Sequence, residues 1–452
     1  MTDPTLNPAQ VTTPDGLPPL RLPRSLLDPL RSDLPRADGE GLVSVRLGHS
    51  AGRITSISAY SPQPGELLPL ALTPLLEPHA HLDKAFTWER HPNGYGTMAG
   101  ALAANQQEHL QRSQEQVWQR GERGLQQAWR QGSRAMRSHV DSAGPAAEAS
   151  WEALLDLQQR WQQRLTLQLV ALVPVGHWAT TAGARLARRL ASRAGPATDG
   201  SSLPILLGGV LGAPFSADAG ERAGLQALLR LADELGCGVD LHVDESSGEG
   251  GSAGAGVALV ARLVREQRIA IPVTCSHSAS MSQLSSRRCL DLADVIAEAG
   301  LAVVALPPTN LWLLGHHGGD TPNSRPMAPI RQLQRAGVTV AIGGDNVQDP
   351  WFPGGDFDPL ELLRLSVTAA HLAPWQRQGL MPFTTAAARL MGLAWDGVLR
   401  EGAPADLILL AASNWSDLLA RCPQRRVLRQ GQWLPPLEAP ALQSLLDALP
   451  VG

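Results

Sequence analysis

Leu68-Pro69-Leu70-Ala71-Leu72-Thr73-Pro74-Leu75-Leu76 runs directly into Glu77-Pro78-His79-Ala80-His81-Leu82-Asp83-Lys84. Successive strand residues point to opposite faces, so residues at i and i+2 share one. The apolar run predicts a buried strand, and His79 and His81 then aim two imidazoles at one point from its end. That is how two nitrogen ligands are brought to one divalent ion. Lys84 is the only lysine in a chain whose Lys+Arg total is 38. One compact, pKa-shiftable ammonium is kept beside the histidine pair, where arginine serves everywhere else.

Working outward, the same order repeats. Apolar runs at 68–76, 135–140, 166–173, 205–211, 239–243, 271–275, 301–306 and 338–342 alternate with longer amphipathic stretches such as 221–235, 257–266, 289–299 and 360–370. Strand–helix alternation predicts βα units and a parallel sheet. Eight units in about 300 residues predict an α/β fold closed as a (β/α)8 TIM barrel, over residues 67–395. The Gln-rich segment 100–131 reads as helical and fills the first crossover, and Gly/Ser-rich 246–256 reads as a flexible loop above the mouth.

Outside the barrel the pattern changes. Residues 1–40 read as a flexible, loosely packed leader, and 41–66 hold two short strands, 42–47 and 53–59. Segment 383–393 reads as a helix, 402–410 as a turn into a strand, and 426–434 as another strand. The C-terminal strands are expected to pair with those of 41–66. That makes a small β-sandwich domain of 41–66 and 396–440 from both chain ends.

Composition excludes several classes. The chain has 452 residues, 43% hydrophobic and 18% charged, with net charge -4. It shows no basic patch interleaved with aromatics, so nucleic acid is excluded as a partner. No apolar run of about 18 residues marks a membrane span. The polar, proline-rich start is not a signal peptide. Cys237, Cys275, Cys289 and Cys422 are scattered without a CxxC pair, which predicts reduced thiols and a cytoplasmic protein. Leu- and Trp-rich stretches point to self-association as a homo-oligomer.

Barrel active sites lie at the C-terminal ends of the strands. His79 and His81 end strand 1, His242 and Glu245 strand 5, His277 strand 6 and Asp345 strand 8. Three histidines and a carboxylate suit one Zn2+ or Fe2+ with room for a water. Such an ion lowers the pKa of bound water to roughly 7, and the chemistry then needs a base and an acid. Glu245 can face the substrate without binding metal, His277 can polarise a developing oxyanion, and Asp345 can bind metal and accept a proton. A lone strand-end histidine is more often structural; a set at four strand ends is not. His139, ending strand 2, reads as a support behind the metal ligands or as substrate-facing, in equal measure with a structural role. Lys84 reads as a substrate contact, and His316-His317 as solvent-exposed.

The stretches Pro78-His79-Ala80-His81-Leu82-Asp83, His242-Val243-Asp244-Glu245, Ser276-His277 and Asp345-Asn346-Val347-Gln348-Asp349-Pro350-Trp351 together resemble the cytosine deaminase branch of the amidohydrolase superfamily. The resemblance runs from about residue 42 to 435. It implies one metal, iron or zinc, on His79, His81, His242 and Asp345. It also implies a glutamate at Glu245 that protonates a ring nitrogen, and His277 working with Asp345 on the water. Trp351 matches a tryptophan near the substrate. Pro174 stands where cytosine deaminases carry a glutamine that reads the pyrimidine, and proline offers no side-chain hydrogen bond. Lys84 and Asn346, in place of a threonine and an aspartate, look like the aminotriazine hydrolases such as N-isopropylammelide amidohydrolase. Strand 4 has no lysine for a bridged two-metal site.

The expectation is a mononuclear metal-dependent amidohydrolase that deaminates a small nitrogen heterocycle, a cytosine-like pyrimidine or an aminotriazine. Lys84, Asn346, Trp351 and His139 are the candidate substrate contacts. Hydrolysis of a cyclic or linear amide C–N bond by the same centre is the alternative within the class. A barrel that binds ligand without catalysis is the alternative outside it.

Overall fold

The computed structural model describes residues 16–193, 205–212, 215–216, 218–248, 251–316, 319–421 and 423–435. Strands run in the order β1 (Leu20–Pro23), β2 (Leu42–Ser50), β3 (Arg53–Ala59), β4 (Ala71–Leu72), β5 (Leu75–Ala80), β6 (Ser133–Asp141), β7 (Thr166–Leu172) and β8 (Ile205–Val210). They continue with β9 (Val239–Val243), β10 (Val273–His277), β11 (Ala302–Ala305), β12 (Thr339–Ile342), β13 (Leu407–Leu410), β14 (Arg425–Arg429) and β15 (Gln432–Trp433). The chain divides into two units, Leu75–Trp129 with Ser133–Gly397, and Met1–Pro74 with Arg130–Gly132 and Val398–Gly452.

In the larger unit β5 to β12 form one eight-stranded parallel sheet in sequence order. β5, β9 and β10 are buried at every residue, as a sheet covered on both faces requires. The edges meet: Asp345 N–H donates to the His79 carbonyl at 2.9 Å, and Ala80 bridges Asp345 in parallel. This closes the (β/α)8 barrel. A core of Leu76, Ala135, Val304, Leu306 and Ala341 packs with Ala387, Ala388, Leu390 and Met391. The last four come from or follow the short helix Thr385–Leu390, which with the turn Met381–Phe383 replaces the single helix expected at 383–393.

Between β5 and β6 lie α1 (Met98–Gln111) and α2 (Gln114–Arg130) rather than one helix. The break is encoded locally. Ser113 and Gln116 form a capping box, the Gln116 N–H donating to Ser113 Oγ at 3.3 Å and the Ser113 N–H to Gln116 Oε1 at 3.0 Å. Arg112, extended at the break, buries its guanidinium against Asp83, Glu108 and Asp141. α3 (Ala147–Trp161), α4 (Thr181–Arg193), α5 (Ala219–Leu235), α6 (Ala255–Gln267) and α7 (Ser286–Glu298) follow successive strands. Among the described residues, no helix is long and apolar enough to cross a membrane.

Three expectations are corrected in the smaller unit. The run 68–76 is two strands, because Pro74 supplies no N–H to carry a ladder through. β4, before the proline, pairs with β13, and β5, after it, with β6. The leader reading fails over 16–27, while 28–40 carries no helix or strand and is largely exposed. Leu20 and Leu22 alternate inward on β1, which pairs antiparallel with β2, and Leu17, Leu26 and Leu27 are buried with them. Residues 1–15 lie outside the described residues. Finally, the C-terminal strands do not extend the sheet of 41–66. One sheet is β1-β2-β3 and the other β15-β14-β13-β4. Among the described residues, β3 meets the C-terminal segment at its start, where Arg53 bridges Pro404 and Ile54 exchanges backbone hydrogen bonds with Gly402 and Ala403 at 2.8 Å each.

Candidate metal centre and active site

Period-two geometry sets the inward-facing rows of the barrel. Glu77, His79 and His81 alternate along β5 and past its end, Arg137, His139 and Asp141 along β6, Asp240 and His242 along β9, and Thr274 and Ser276 along β10. Asp244, His277 and Asp345, at or just past strand ends, have φ of 54°, 71° and 64°. Non-glycine residues in the left-handed region are uncommon, and such strain collects at functional sites.

The rows converge. His81 Nε2 lies 3.2 Å and His79 Nε2 3.5 Å from Asp345 Oδ1. His242 Nε2 is 3.4 Å from His81 Nε2. His79, His81 and Asp345 offer donor atoms within 4.8 Å of one another, as do His79, His139 and His242. Among the described residues, His79 Nε2 and both Asp345 oxygens are buried without a partner at hydrogen-bond distance. Burial, then neighbouring imidazoles or Lys84, holds His79, His81 and His242 far below the usual histidine pKa, so all three are neutral bases. Converging lone pairs beside a buried carboxylate, with the Thr309 hydroxyl as its nearby side-chain donor, fit a divalent cation.

Glu245 and His277 sit beside this cluster. Burial, then the nearby Asp345 charge, pushes Glu245 up to about 8, which keeps it protonated at neutral pH. His277 is pushed down to about 4, chiefly by burial. Asn310 Nδ2–H donates to its Nδ1 at 2.9 Å, so the neutral ring carries its proton on Nε2, 3.6 Å from Glu245 Oε2. Asn310 was not foreseen; it lies in the irregular turn after β11, where no period marks it.

A cavity of about 840 Å3 opens over the centre, lined by His81, His242, Glu245, His277 and Asp345, with Lys84, Asn346 and Trp351. Lys84 Nζ lies 4.3 Å above the Trp351 ring and 3.3 Å from Asp141 Oδ1. Burial pulls its pKa down, but Asp141, Asp83 and Asp349 outweigh this and raise it, so it stays charged. Asn346 is held by Asp349, to which its Nδ2–H donates at 2.8 Å. Leu172, Val173 and Pro174 form an apolar wall at the position discussed above, and Met98, Leu102, Asn105, Gln106 and His109 of α1 form the other side. Of the predicted residues His139 alone among the substrate contacts does not line the cavity. It is fully buried and stacks on His79 with ring centroids 3.9 Å apart, so of the readings given it, support behind the candidate metal ligands fits and the substrate-facing one does not. His316 is exposed, and His317 lies outside the described residues. The loop after β9 is pinned at its far end, where Asp244 accepts the Gly256 and Val257 N–H groups at 3.0 and 2.9 Å.

Sequence reasoning missed several buried polar groups. Glu77 accepts from the Gly344 N–H at 3.0 Å and so locks the turn that presents Asp345. Asp141 joins Lys84 to Arg112. Asp240 and Ser276 lie beneath His79. All except the turn partners share a face with a histidine on their own strand or its neighbour, and that parity was the available signal.

A barrel with a carboxylate-and-imidazole cluster at its C-terminal mouth fits the class of metal-centred (β/α)8 hydrolases. The sequence profile of the amidohydrolase family matches residues 96–434, and the chain belongs to that family. It is 32% identical over 402 residues to a pterin deaminase of Rhizobium rhizogenes, covering 87% of this chain and 88% of that protein. It is 22% identical to N-isopropylammelide isopropyl amidohydrolase of Pseudomonas sp., covering 74% and 78%. Among solved structures, 5-methylcytosine deaminase of Klebsiella pneumoniae liganded with 5-fluorocytosine superposes with a TM-score of 0.72 at 25% identity, covering 88% and 95%.

Proposed function

We propose that this protein is a hydrolytic deaminase of an amino-substituted, pterin-like heterocycle. The observation that carries the reading is the opening into one cavity of the unsatisfied His/Asp cluster, a glutamate held neutral, and a charged lysine stacked on tryptophan. Similarity to a pterin deaminase over most of both chains supports the bicyclic ring, and a cavity of about 840 Å3 has room for it.

His79, His81, His242 and Asp345 would hold one Zn2+ or Fe2+, which supplies Lewis acidity toward a water oxygen. The remaining steps belong to the chain. Deamination adds water oxygen to the amino-bearing carbon, delivers a proton to the adjacent ring nitrogen, moves a second proton to the amine, and breaks the C–N bond to release ammonia. Glu245 is the proton donor to the ring nitrogen and, once ionised, carries the next proton to the leaving amine. His277 Nε2–H donates to the oxygen as charge builds on it. Asp345 takes the water's first proton and later returns it to Glu245, while the second, left on the added oxygen, is the one Glu245 carries to the amine. Lys84 and Trp351 clamp the ring, the ammonium directed at a ring oxygen or nitrogen lone pair and the indole packing beside it.

Ammonia release is measured over pterin, cytosine, isocytosine, ammelide and an N-alkylated aminotriazine. Release from pterin above the single rings is expected. Release only from a single ring replaces the bicyclic substrate. Ring opening without ammonia replaces deamination with amide hydrolysis.

A further inference from the structure

We infer that Asp240 and Ser276 are positioning residues that fix which nitrogen of His79 faces the metal cluster. The inference rests on the reading of His79 as a metal ligand. It follows from counting protons in a buried chain of three groups.

Ser276 Oγ lies 2.7 Å from Asp240 Oδ1 and 2.9 Å from His79 Nδ1. A hydroxyl has one hydrogen to give and lone pairs to accept with. Asp240 decides where the hydrogen goes. Its other oxygen, Oδ2, accepts from Arg137 Nη1–H at 2.7 Å, and Arg137 is itself tied to Gln168 Oε1 at 3.0 Å and the Leu390 carbonyl at 3.3 Å. Against a guanidinium at that distance Asp240 is an acceptor only. The Ser276 hydrogen therefore points at Asp240, and its lone pair faces His79. Nδ1 must then be the protonated nitrogen, which leaves Nε2 bare.

That bare nitrogen is the atom 3.5 Å from Asp345 Oδ1 with no protein donor. The reverse arrangement would point the hydroxyl at Nδ1, leave Asp240 Oδ1 facing a lone pair, and put a proton on Nε2 where a cation belongs. Asp240, Ser276 and His79 are each 0% exposed, so no bulk water substitutes for a missing partner. His139 adds to the same anchor: its Nε2 lies 3.4 Å from Asp240 Oδ1 while its ring stacks on His79. One carboxylate thus orients His79 through a serine and faces the imidazole packed against it. Outer partners of ligating histidines commonly act in this way, with about 10–100-fold in metal affinity at stake.

The test measures Zn2+ affinity of the full chain by competition with a chromogenic chelator for wild type and Ser276→Ala, Ser276→Thr and Ser276→Val. Threonine and valine have the same shape, so their comparison cancels packing strain and isolates the hydroxyl. Selective 15N-histidine NMR of the apo-protein reads the His79 tautomer directly. The expected result is a loss of affinity on the order of 10–100-fold in Ser276→Ala and Ser276→Val. Ser276→Thr should stay near wild type, and the Nδ1–H form of His79 should dominate only where the hydroxyl is present. Wild-type affinity in Ser276→Ala, equal affinity of Ser276→Thr and Ser276→Val, or an unchanged tautomer overturns the inference while the metal reading stands. Failure of the wild type to bind Zn2+ or Fe2+ overturns both.

Discussion

The floor of the cavity and its outer wall are built differently. The floor rests on His79, His139, Asp240 and Ser276, which lie beneath the cavity lining, are fully buried, rise from strands, and are held by side-chain hydrogen bonds of 2.7–2.9 Å or ring stacking at 3.9 Å. The wall along α1 presents Leu102 and Leu110, 56% and 67% exposed, with Asn105, Gln106 and His109 between them. The floor is over-determined and the wall is not. A reaction centre must be held to a fraction of an ångström, whereas a surface that admits a substrate needs shape and a few polar contacts. Chemistry should be lost by small changes in the floor and only tuned by larger ones in the wall.

The largest expected effect is removal of the metal. Dialysis against a chelator should abolish ammonia release, and one equivalent of Zn2+ or Fe2+ per chain should restore it; activity surviving in metal-free protein would erase the contrast. Next is Glu245→Gln, which should cut turnover by about 10^2–10^4-fold with metal content unchanged. The same residue sets the pH dependence. Because burial pushes its carboxyl up to about 8, it is protonated at neutral pH, and kcat/KM should decline as pH rises through that value. A profile flat to pH 9 would remove Glu245 as the donor. Lys84→Met, at the junction of floor and wall, should lower kcat/KM by roughly 10–100-fold, the worth of about 1.5–3 kcal/mol for a charged hydrogen bond. Leu102→Ala, on the wall, should change thermal stability by under about 0.5 kcal/mol and alter KM alone. A kcat effect there equal to that of Lys84→Met would show the two regions to be one.

The same contrast explains what could be read from the chain. The eight strands were legible because each is a short apolar run, and β9 was placed at both of its ends. The histidines of the floor were legible because i, i+2 spacing on a strand fixes direction. Asp240 and Ser276 carried the same parity but not the residue types that attract notice. The α1–α2 break was missed because a capping box inside a long polar helix looks like more helix. The leader was misread because Leu20 and Leu22 make too short an alternation to stand out among prolines. Asp345 was legible as the residue that ends strand 8, but its left-handed backbone comes from a turn held by Glu77, and Asn310 sits in an irregular turn that no local pattern announces.

The barrel's closure has a further meaning for how the protein comes into being. The hydrogen bond from Asp345 to the His79 carbonyl joins the first barrel strand to the segment after the last. A growing chain holds His79 and His81 almost from the start of barrel synthesis, yet the carboxylate that completes their cluster arrives only after β12. Until the seam is made, the early histidines share no pocket with Asp345. If His79, His81, His242 and Asp345 hold an ion as proposed, the complete ligand set exists only in the finished barrel, and a centre loaded on all four certifies that the last strand has found the first.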